Sequence, residues 1–343
     1  MDRRDGGGSR QGEAPPASLS IEEITDPVGL EALRADWSEL FHATPAASPF
    51  QSPDWLLPWR RRFLAEGLWT LAIRRDGRLV GLAPLFIHRR QVTLLGNGIS
   101  DRLDLLARPG WEAQVAEAVL AHMERRSDLW DSCDFRDLPP HAVLLRAPWR
   151  GPGADTSEPD EPCRVLQLPD RAEAVIDALP AKLRQNLRNR ARRAAQAGAV
   201  AFESADAAGL DPAVDALLHL HRRRWRAKGE DGVLTDAAVE AFHRDAAPGL
   251  LRQRLLRLNL MRLDGRVIAA QYLLVRGETA CSYINGFDPH YAALAPGALL
   301  LRFSVEQSVR EGACAFDFLR GREAYKAEWG AVEQPQFRRR IRR

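Results

Sequence analysis

The sequence has no long apolar run and no leader-like start. No stretch of its 343 residues approaches the ~20 consecutive apolar residues that a membrane-spanning helix needs. Residues 1–18 combine Gly, Arg, Asp and Pro without an apolar core. This composition excludes a signal peptide and predicts a disordered tail.

Cysteine is scarce, and the four cysteines lie far apart in the chain. Their spacing excludes a disulfide framework and a cysteine-rich zinc site. Cys133, Cys281 and Cys314 have apolar, strand-like neighbours, which is typical of small buried residues in a reducing compartment. We therefore expect a cytoplasmic protein.

The chain also lacks a strong charge of one sign and the common catalytic signatures. A net charge of +3 predicts no polyanionic partner by itself. The Gly-x-Ser-x-Gly elbow, the Walker loop, a Gly-x-Gly-x-x-Gly turn after a strand and the His-Glu-x-x-His pair are all absent. His219 and His221 are two positions apart in a predicted helix and point to different faces, so we expect no metal site there.

What the sequence does contain is one order of predicted strands, turns and a helix that occurs twice. Each half has two alternating apolar runs joined by an Asp-Gly-Arg turn, a third run, a Pro-Gly turn, an amphipathic helix and a short strand. The Asp-Gly-Arg turns are 188 positions apart, the Pro-Gly turns 187 and the Asp-Phe pairs 183. Three landmarks in one order at nearly one offset predict two copies of one domain. The predicted segments are 69–74, 79–88, 92–96, 111–126 and 132–135 in the first half, and 257–263, 267–275, 279–286, 298–310 and 315–318 in the second.

These patterns predict a mixed α/β fold, with a largely antiparallel sheet flanked by helices in each of two tandem domains. We expect the N-terminal domain at 19–146 and the C-terminal domain at 166–335. The segment 147–165 is rich in Pro, Gly, Asp and Glu and is predicted to be a linker. The arginine-rich segment 336–343 is predicted to be a basic tail.

A second basic cluster lies in the predicted helix 181–197. From Lys182 to Arg193 the chain carries six basic residues and no acidic residue. Such a cluster is either a solvated helix face or a surface that binds phosphate, because arginine guanidinium groups match phosphate oxygens.

Polar and aromatic residues cluster after the last predicted strand of the second half. A carboxylate there, Asp317, interrupts an apolar strand, and a buried carboxylate needs a partner. Arg320 and Lys326 are the expected partners. The cluster is either a catalytic site or an ion pair that fixes the C-terminal loop. Its members are Asp317, Arg320, Gly321, Arg322, Tyr325, Lys326 and Trp329.

The order of these elements resembles the GNAT acyltransferase domain, and its duplication resembles the FemAB-like tandem arrangement, in particular the acetyltransferase branch that includes the cellulose-biosynthesis protein CelD. The resemblance extends over about 19–329. The motifs that carry it are Phe50-Gln51-Ser52-Pro53-Asp54-Trp55, Ser100-Asp101-Arg102-Leu103-Asp104, 182–188, 224–229, Pro296-Gly297, and Asp317-Phe318-Leu319-Arg320-Gly321 with Tyr325-Lys326 and Trp329.

This resemblance implies transfer of an acyl group from a thioester, usually acetyl-CoA, to an amine or hydroxyl. For this chemistry we predict Asp317 as the carboxylate that orients or deprotonates the acceptor, Tyr325 as the proton donor to the thiolate, and Lys326 as the neighbour that tunes Tyr325 or binds an anionic acceptor. Acceptor-binding residues would be Asp101, Asp104, Arg224, Trp225, Arg320 and Trp329. The donor would bind at Pro296, Gly297 and Ala298, with Arg184 and Arg188 close by.

Three functions are open at this point. The first is an acyl-CoA-dependent N- or O-acyltransferase acting on a sugar, a glycan or a small molecule. The second is a FemAB-like aminoacyltransferase that uses aminoacyl-tRNA, because residues 291–297 keep only one glycine of the usual glycine-rich phosphate turn. The third is a non-catalytic module of an envelope-polysaccharide system.

Overall fold

The computed structural model describes residues 19–343 apart from Lys228 and Asp231. The predicted tail 1–18 lies outside these residues. None of the helices in the described part of the chain is long and apolar enough to cross a membrane.

The first half contains seven strands and four α-helices among its described residues. Asp26 caps the first helix by accepting hydrogen bonds from Val28 and Gly29. The strands are β1 (Ser20–Ile24), β2 (Thr70–Arg75), β3 (Arg78–Ala83), β4 (Leu85–His88), β5 (Gln91–Leu94), β6 (Leu106–Ala107) and β7 (Ser132–Leu138), and the helices are α1 (Pro27–Ala32), α2 (Arg34–Ala43), α3 (Pro53–Phe63) and α4 (Glu112–Arg125).

The second half contains seven strands and six α-helices among its described residues. The helix predicted at 181–197 has the predicted bounds. The strands are β8 (Ala154–Gln167), β9 (Val200–Ser204), β10 (Leu256–Leu263), β11 (Arg266–Arg276), β12 (Thr279–Phe287), β13 (Ala315–Asp317) and β14 (Val332–Arg342), and the helices are α5 (Ala174–Ala178), α6 (Ala181–Ala197), α7 (Leu210–Arg226), α8 (Ala237–Arg252), α9 (Pro296–Arg310) and α10 (Ala324–Glu328).

The order of strands repeats between the halves. The second half arranges β9-β10-β11-β12-β13, and the first half arranges β1-β2-β3 in one sheet and β4-β5-β7 in the other. In both halves the strand that the third predicted run forms pairs in parallel with the strand directly after the amphipathic helix, β12 with β13 and β5 with β7. The chain therefore has the predicted mixed α/β fold, with one arrangement present twice.

Pro84 separates β3 from β4, so the single strand predicted at 79–88 is wrong in this detail. Proline has no N–H for the ladder and interrupts regular pairing. Beyond Pro84 the chain leaves the four-stranded sheet β1-β2-β3-β6 and joins the ten-stranded sheet as β4.

The two halves exchange a strand at their boundary. β8 follows β7 in the chain but pairs with β13 of the second half. β14 follows β13 but pairs with β7 of the first half, and β8 and β14 pair with each other. The ten-stranded sheet β4-β5-β7-β14-β8-β13-β12-β11-β10-β9 therefore runs continuously from one half into the other.

This exchange corrects two predictions. The segment 147–165, predicted as a linker, contains most of β8, and 336–343, predicted as a tail, contains the end of β14. Both strands lack the apolar alternation of a half-buried strand, because charged pairs join them to their neighbours. Arg338 pairs with Asp134 at 2.6 Å, and Arg340 pairs with Glu158 at 2.7 Å.

The two copies differ in the strand that the third predicted run forms, which is β12 in the second half and β5 in the first. In the second half β12 is nine residues long and pairs with β11 along its length. In the first half β5 ends at Leu94, and the chain returns only at β6, which pairs with β3. Residues 95–105 leave the sheet between these two pieces and extend to the second half.

The interface between the halves is aromatic. α3 packs against α8, and the buried Trp55 ring lies edge-on to Phe242 and Tyr283, with ring centroids 4.8 and 5.2 Å away. Trp55 also donates to the Ser100 hydroxyl at 2.8 Å. These contacts hold 95–105 against the second half.

Three of the four cysteines are buried, as small apolar residues would be. Cys314 is exposed, so the prediction that it is buried is wrong. It lies in the turn before β13, whose backbone bonds to Glu278, and therefore outside the core.

Candidate active site

The strands β12 and β13 part after three residue pairs. Thr279, Ala280 and Cys281 face Ala315, Phe316 and Asp317, and β13 then ends. From Ser282 to Phe287, β12 pairs only with β11 among the described residues. Its other backbone edge is therefore open toward the start of α9.

The start of α9 has no side-chain cap and no acidic residue in its first turn. Ala295 adopts a left-handed conformation (φ 50°, ψ 54°), and Pro296 then occupies the first helical position. The helix thus begins two residues before the predicted start at 298. The backbone N–H of Gly297 donates to no described residue, which leaves a free donor at the positive end of the helix dipole.

The basic helix α6 packs along α9 and against the 3-10 turn Pro289–Leu294 that precedes it. Arg184 and Arg188 lie 3.7 and 3.9 Å from the Asp177 carboxylate, so these two predicted donor-binding residues have an acidic partner within the chain. Four other cations of α6 form no ion pair with a described residue. They are Lys182, Arg190, Arg192 and Arg193.

Arg224 extends from α7 to the end of β12. It donates to the Asn285 side-chain amide oxygen, and its guanidinium carbon lies 5.3 Å from the Phe287 ring centroid. Burial lowers the pKa of Arg224 below its usual value, an effect opposed by Tyr325 and Glu323. Arg224 therefore presents a cation to the open edge of β12.

Gly286 sets the distance between α7 and β12. A Cβ at this position would lie 2.4 Å from the His221 backbone nitrogen, so only glycine permits this close approach. One turn further along α7, the Trp225 ring packs against the His221 ring at 5.9 Å between centroids. The close packing holds Arg224 beside Asn285.

Tyr325 lies in α10, beside the point where the two strands part. Its ring packs edge-on against Phe318, 5.8 Å away, and belongs to the same apolar cluster as the buried Trp329. Burial raises the pKa of Tyr325 to about 12, with Glu323 adding to this rise and Arg224 opposing it. The phenol therefore keeps its proton at neutral pH.

Asp317 is 1% exposed and is paired with Arg102 of the first half, Nε to Oδ2 at 2.6 Å. The prediction of Arg320 or Lys326 as its partner is wrong. Burial raises the pKa of Asp317, and Arg102 opposes this rise. The other carboxylate oxygen accepts from the Leu319 N–H at 2.8 Å, so Asp317 fixes the chain directly after β13.

Arg320 bridges two carboxylates of the first half. It donates to Asp101, and it lies 3.0 Å from Asp137, where burial raises the pKa to about 7. The buried Lys326 donates to the Arg320 carbonyl at 2.5 Å and pairs with Glu323 at 3.0 Å. Arg320 and Lys326 therefore hold the loop after β13 against residues 95–105.

Asp104 was predicted to face an acceptor, but both of its oxygens are occupied. They accept from the backbone N–H groups of Val143 and Leu144 at 2.5 and 3.1 Å. Complete burial raises the pKa of Asp104 to about 7. One oxygen of Asp101 accepts from Arg320, so both carboxylates make contacts within the chain.

The helix α4, which corresponds to α9 in the first half, starts differently. Gly110 lies before the helix with φ 84°, and Trp111 is the N-cap residue. The first turn contains Glu112, whose carboxylate accepts from the Gly110 N–H at 2.9 Å. This carboxylate occupies the anion-binding end of α4.

The structure thus brings together Arg224, Tyr325 and the start of α9, and it assigns Asp101, Asp104, Asp317 and Lys326 to internal contacts. Sequence analysis missed Asn285, Arg102 and Asp137. Arg102 and Asp137 meet their partners only across the two halves, which no local pattern reveals. Within the described residues, no cluster of three or more metal-ligating His, Cys, Asp or Glu side chains occurs.

Comparison with known proteins supports the same fold. Residues 181–327 match the family model of the acetyltransferase (GNAT) domain. FemX is 12% identical with a TM-score of 0.64, covering 93% of this chain and 96% of that chain. The L-PGS from Bacillus licheniformis is 12% identical with a TM-score of 0.62 and 93% coverage of both chains.

A third structure is the C-terminal domain of a protein from Agrobacterium fabrum described as a lysylphosphatidylglycerol synthetase. It is 13% identical, with a TM-score of 0.60 and 92% coverage of both chains. A search of curated protein sequences finds no match. At these identities the structural likeness establishes the fold alone. Residues 181–327 are therefore similar to the GNAT acetyltransferase domain, and the chain as a whole has the fold of FemX.

Proposed function

We propose that the second half transfers an acyl group from acyl-CoA to an amine or hydroxyl of a sugar, glycan or small-molecule acceptor. One observation carries this proposal: the uncapped start of α9 lies at the open edge of β12. An acyl thioester attached to a phosphate-bearing carrier needs both features, a seat for its phosphates and a polar strand edge for its carrier arm.

We name the first turn of α9, from Pro296 through Gly297 to Ala298, the donor seat. Its free N–H group is that of Gly297. The cations of α6 strengthen the positive potential there. Arg184 and Arg188 contribute less than the four cations without acidic partners, because Asp177 offsets their charge. Together these groups favour a ligand with several phosphate charges.

Tyr325 is the proposed proton donor to the departing thiolate. A general acid must hold its proton before the reaction, and the raised pKa of Tyr325 ensures this. Arg224 stabilises negative charge that develops near the phenol. Trp225 and Trp329 shape the apolar surroundings of the acceptor.

Asp317 remains our candidate for the carboxylate that orients the acceptor. Because Asp317 pairs with Arg102 and accepts from the Leu319 N–H, it would orient the acceptor indirectly, by fixing the loop that carries Arg320. These contacts support direct proton abstraction by Asp317 less well. Lys326 supports the same loop by donating hydrogen bonds to the carbonyls of Leu319 and Arg320. Asp101 contributes by holding Arg320.

Aminoacyl-tRNA is the second candidate donor, and the unpaired cations of α6, of which Lys182, Arg192 and Arg193 are exposed, favour it. Such a surface would contact RNA phosphates, and binding would then weaken steeply with added salt. A non-catalytic role in an envelope-polysaccharide system is the third candidate. It predicts binding of neither donor.

The test compares Gly297→Glu with Gly297→Ala. A Cβ at this position meets only the Phe287 ring, at 3.5 Å, so alanine is accommodated. The glutamate variant places a carboxylate in the first turn of α9, as Glu112 does in α4. We expect it to bind acetyl-CoA at least tenfold more weakly than the alanine variant in calorimetry, because a like charge opposes the phosphates.

Equal binding by both variants would place the donor elsewhere. A thermal-shift panel with acetyl-CoA, longer acyl-CoAs, CoA and aminoacyl-tRNA separates the candidate donors, since a ligand of the folded state raises its stability. No shift with any of them favours the non-catalytic module.

A further inference from the structure

A cavity of about 440 Å³ lies between the two halves and away from α9. Four segments of the first half line it. They are the α2–α3 connection, the return of the chain at Asp104–Ala107, Glu112 at the start of α4, and residues 139–146 after β7. The second half closes the cavity with Arg276, Cys281 and Asp317.

In chain order, these four segments correspond to four segments of the second half, and two of those, the end of β12 and the start of α9, form its candidate active site. There the segments are the α7–α8 connection, the end of β12, the start of α9 and the chain after β13. The cavity therefore occupies, in the first half, the position of the candidate active site in the second. A volume of this size suits a small molecule.

The acidic groups of the cavity are all occupied by internal partners. Asp317 pairs with Arg102, Asp104 accepts from two backbone N–H groups, and Glu112 accepts from Gly110. Asp317 and Asp104 use both carboxylate oxygens in these contacts, and Glu112 uses one, so the cavity has few free acceptors for the hydroxyls of a neutral sugar.

Of the arginines that line the cavity, Arg102 pairs with Asp317, whereas Arg146 and Arg276 have no carboxylate partner within 4 Å among the described residues. Arg146 and His141 are exposed and line the cavity. Partial desolvation and the nearby Arg102 and Arg146 lower the pKa of His141, so its neutral ring offers an N–H donor and not a charge at neutral pH. Arg276 donates to the Thr44 carbonyl at 2.8 Å, and its guanidinium lies over the Phe41 ring at 3.7 Å. Its Nε is buried without a hydrogen-bond partner.

We infer that this cavity binds a small oxyanion, a carboxylate or phosphate compound, between His141, Arg146 and Arg276. Charge-assisted hydrogen bonds from two guanidinium groups match such an anion. The site is separate from the proposed acyl-donor site and does not depend on it. Because Glu112 occupies the start of α4, the anion is bound by side chains and not by a helix terminus.

The experiment measures calorimetric binding of inorganic phosphate, succinate and glucose at constant ionic strength. It uses the Gly297→Glu protein, in which the donor seat is blocked and the cavity is intact. We expect both anions to bind and glucose not to bind. Arg146→Gln should weaken anion binding about tenfold, because it removes one charge-assisted hydrogen bond.

Arg150→Gln is the matched control, since Arg150 is an exposed arginine outside the cavity. Ala46→Trp is a second test: it fills the cavity mouth from an exposed position and should also weaken binding. The inference is overturned if neither anion binds, if glucose binds equally well, or if both Arg146→Gln and Ala46→Trp bind the anions as the parent does. Acetyl-CoA binding to the protein with Gly297 is a separate measurement, so the two proposals fail independently.

Discussion

The starts of α4 and α9 occupy corresponding places in the two halves but have different chemistry. α9 begins with Pro296 and Gly297, without a cap or an acid, beside the open edge of β12. α4 begins with Glu112, which bonds back to Gly110. In front of α4, the strand is interrupted by residues 95–105.

This difference suggests a division of labour between two copies of one fold. The second half keeps the open strand and the free helix terminus, which a phosphate-bearing donor requires. The first half uses the interrupted strand to bind the second half, through Asp101 and Arg102. Four experiments can break or sharpen this comparison.

The largest effect should come from the strand that the second half contributes to the first. Arg339 of β14 is 2% exposed, pairs with Asp155 at 2.7 Å and donates to the Leu144 carbonyl. Arg339→Met removes the charged donor to the carbonyl of the buried Leu144 as well as the partner of the more exposed Asp155, and we expect the free energy of unfolding to fall by about 3 kcal/mol in chemical denaturation.

Arg340→Met is its control on the next residue. Arg340 pairs with Glu158, and both side chains are substantially exposed. Loss of an exposed pair costs less than about 1 kcal/mol. Equal losses for both variants would mean that β14 is not anchored through Arg339.

The second effect concerns the chemistry of the second half. Tyr325→Phe should lower kcat by about 10²-fold or more, because it removes the proton donor to the leaving thiolate. The melting temperature should stay the same, since the Tyr325 hydroxyl bonds to no described residue. Steady-state kinetics and a thermal melt on the same sample measure both quantities.

Asp317→Asn completes this test. It leaves the buried Arg102 without its charged partner and should lower both stability and rate. If both variants fold and turn over at the parental rate, the roles proposed for Tyr325 and Asp317 are wrong.

How far the sequence predicted these features depends on the range of the interactions. The bounds of α6 and the repeated hairpins follow from local periodicity and turn residues, and both were predicted. The partner of Asp317 is in the other half, so no local pattern could identify Arg102. β8 and β14 were missed because cross-strand ion pairs replace the apolar alternation that marks a strand.

The third effect is the pH dependence of the first half. Burial raises the pKa of Asp104 and of Asp137 to about 7 from the ordinary 3.8. The folded state therefore retains protons that the unfolded state has lost. The stability from this source is complete below pH 3.8 and is lost as pH rises through about 7.

Each group should contribute a fall of up to about 1.4 kcal/mol per pH unit in the free energy of unfolding between these limits. Asp104→Asn and Asp137→Asn should each make the profile from about pH 5 to pH 7 less steep. The measurement is urea denaturation across this range. A profile in both variants as steep as that of the parent protein would contradict the raised pKa values.

The smallest effect is expected at the start of α4. Glu112→Gln removes the carboxylate charge that favours the helix dipole, and it should lower the free energy of unfolding by about 0.5 kcal/mol. Because we assign no donor to the first half, this substitution should leave acetyl-CoA affinity and stoichiometry unchanged in calorimetry. If Glu112→Gln bound a second equivalent of acetyl-CoA, the Glu112 carboxylate alone would account for the absence of donor binding at the start of α4. The interruption at 95–105 would then not be what prevents donor binding in the first half.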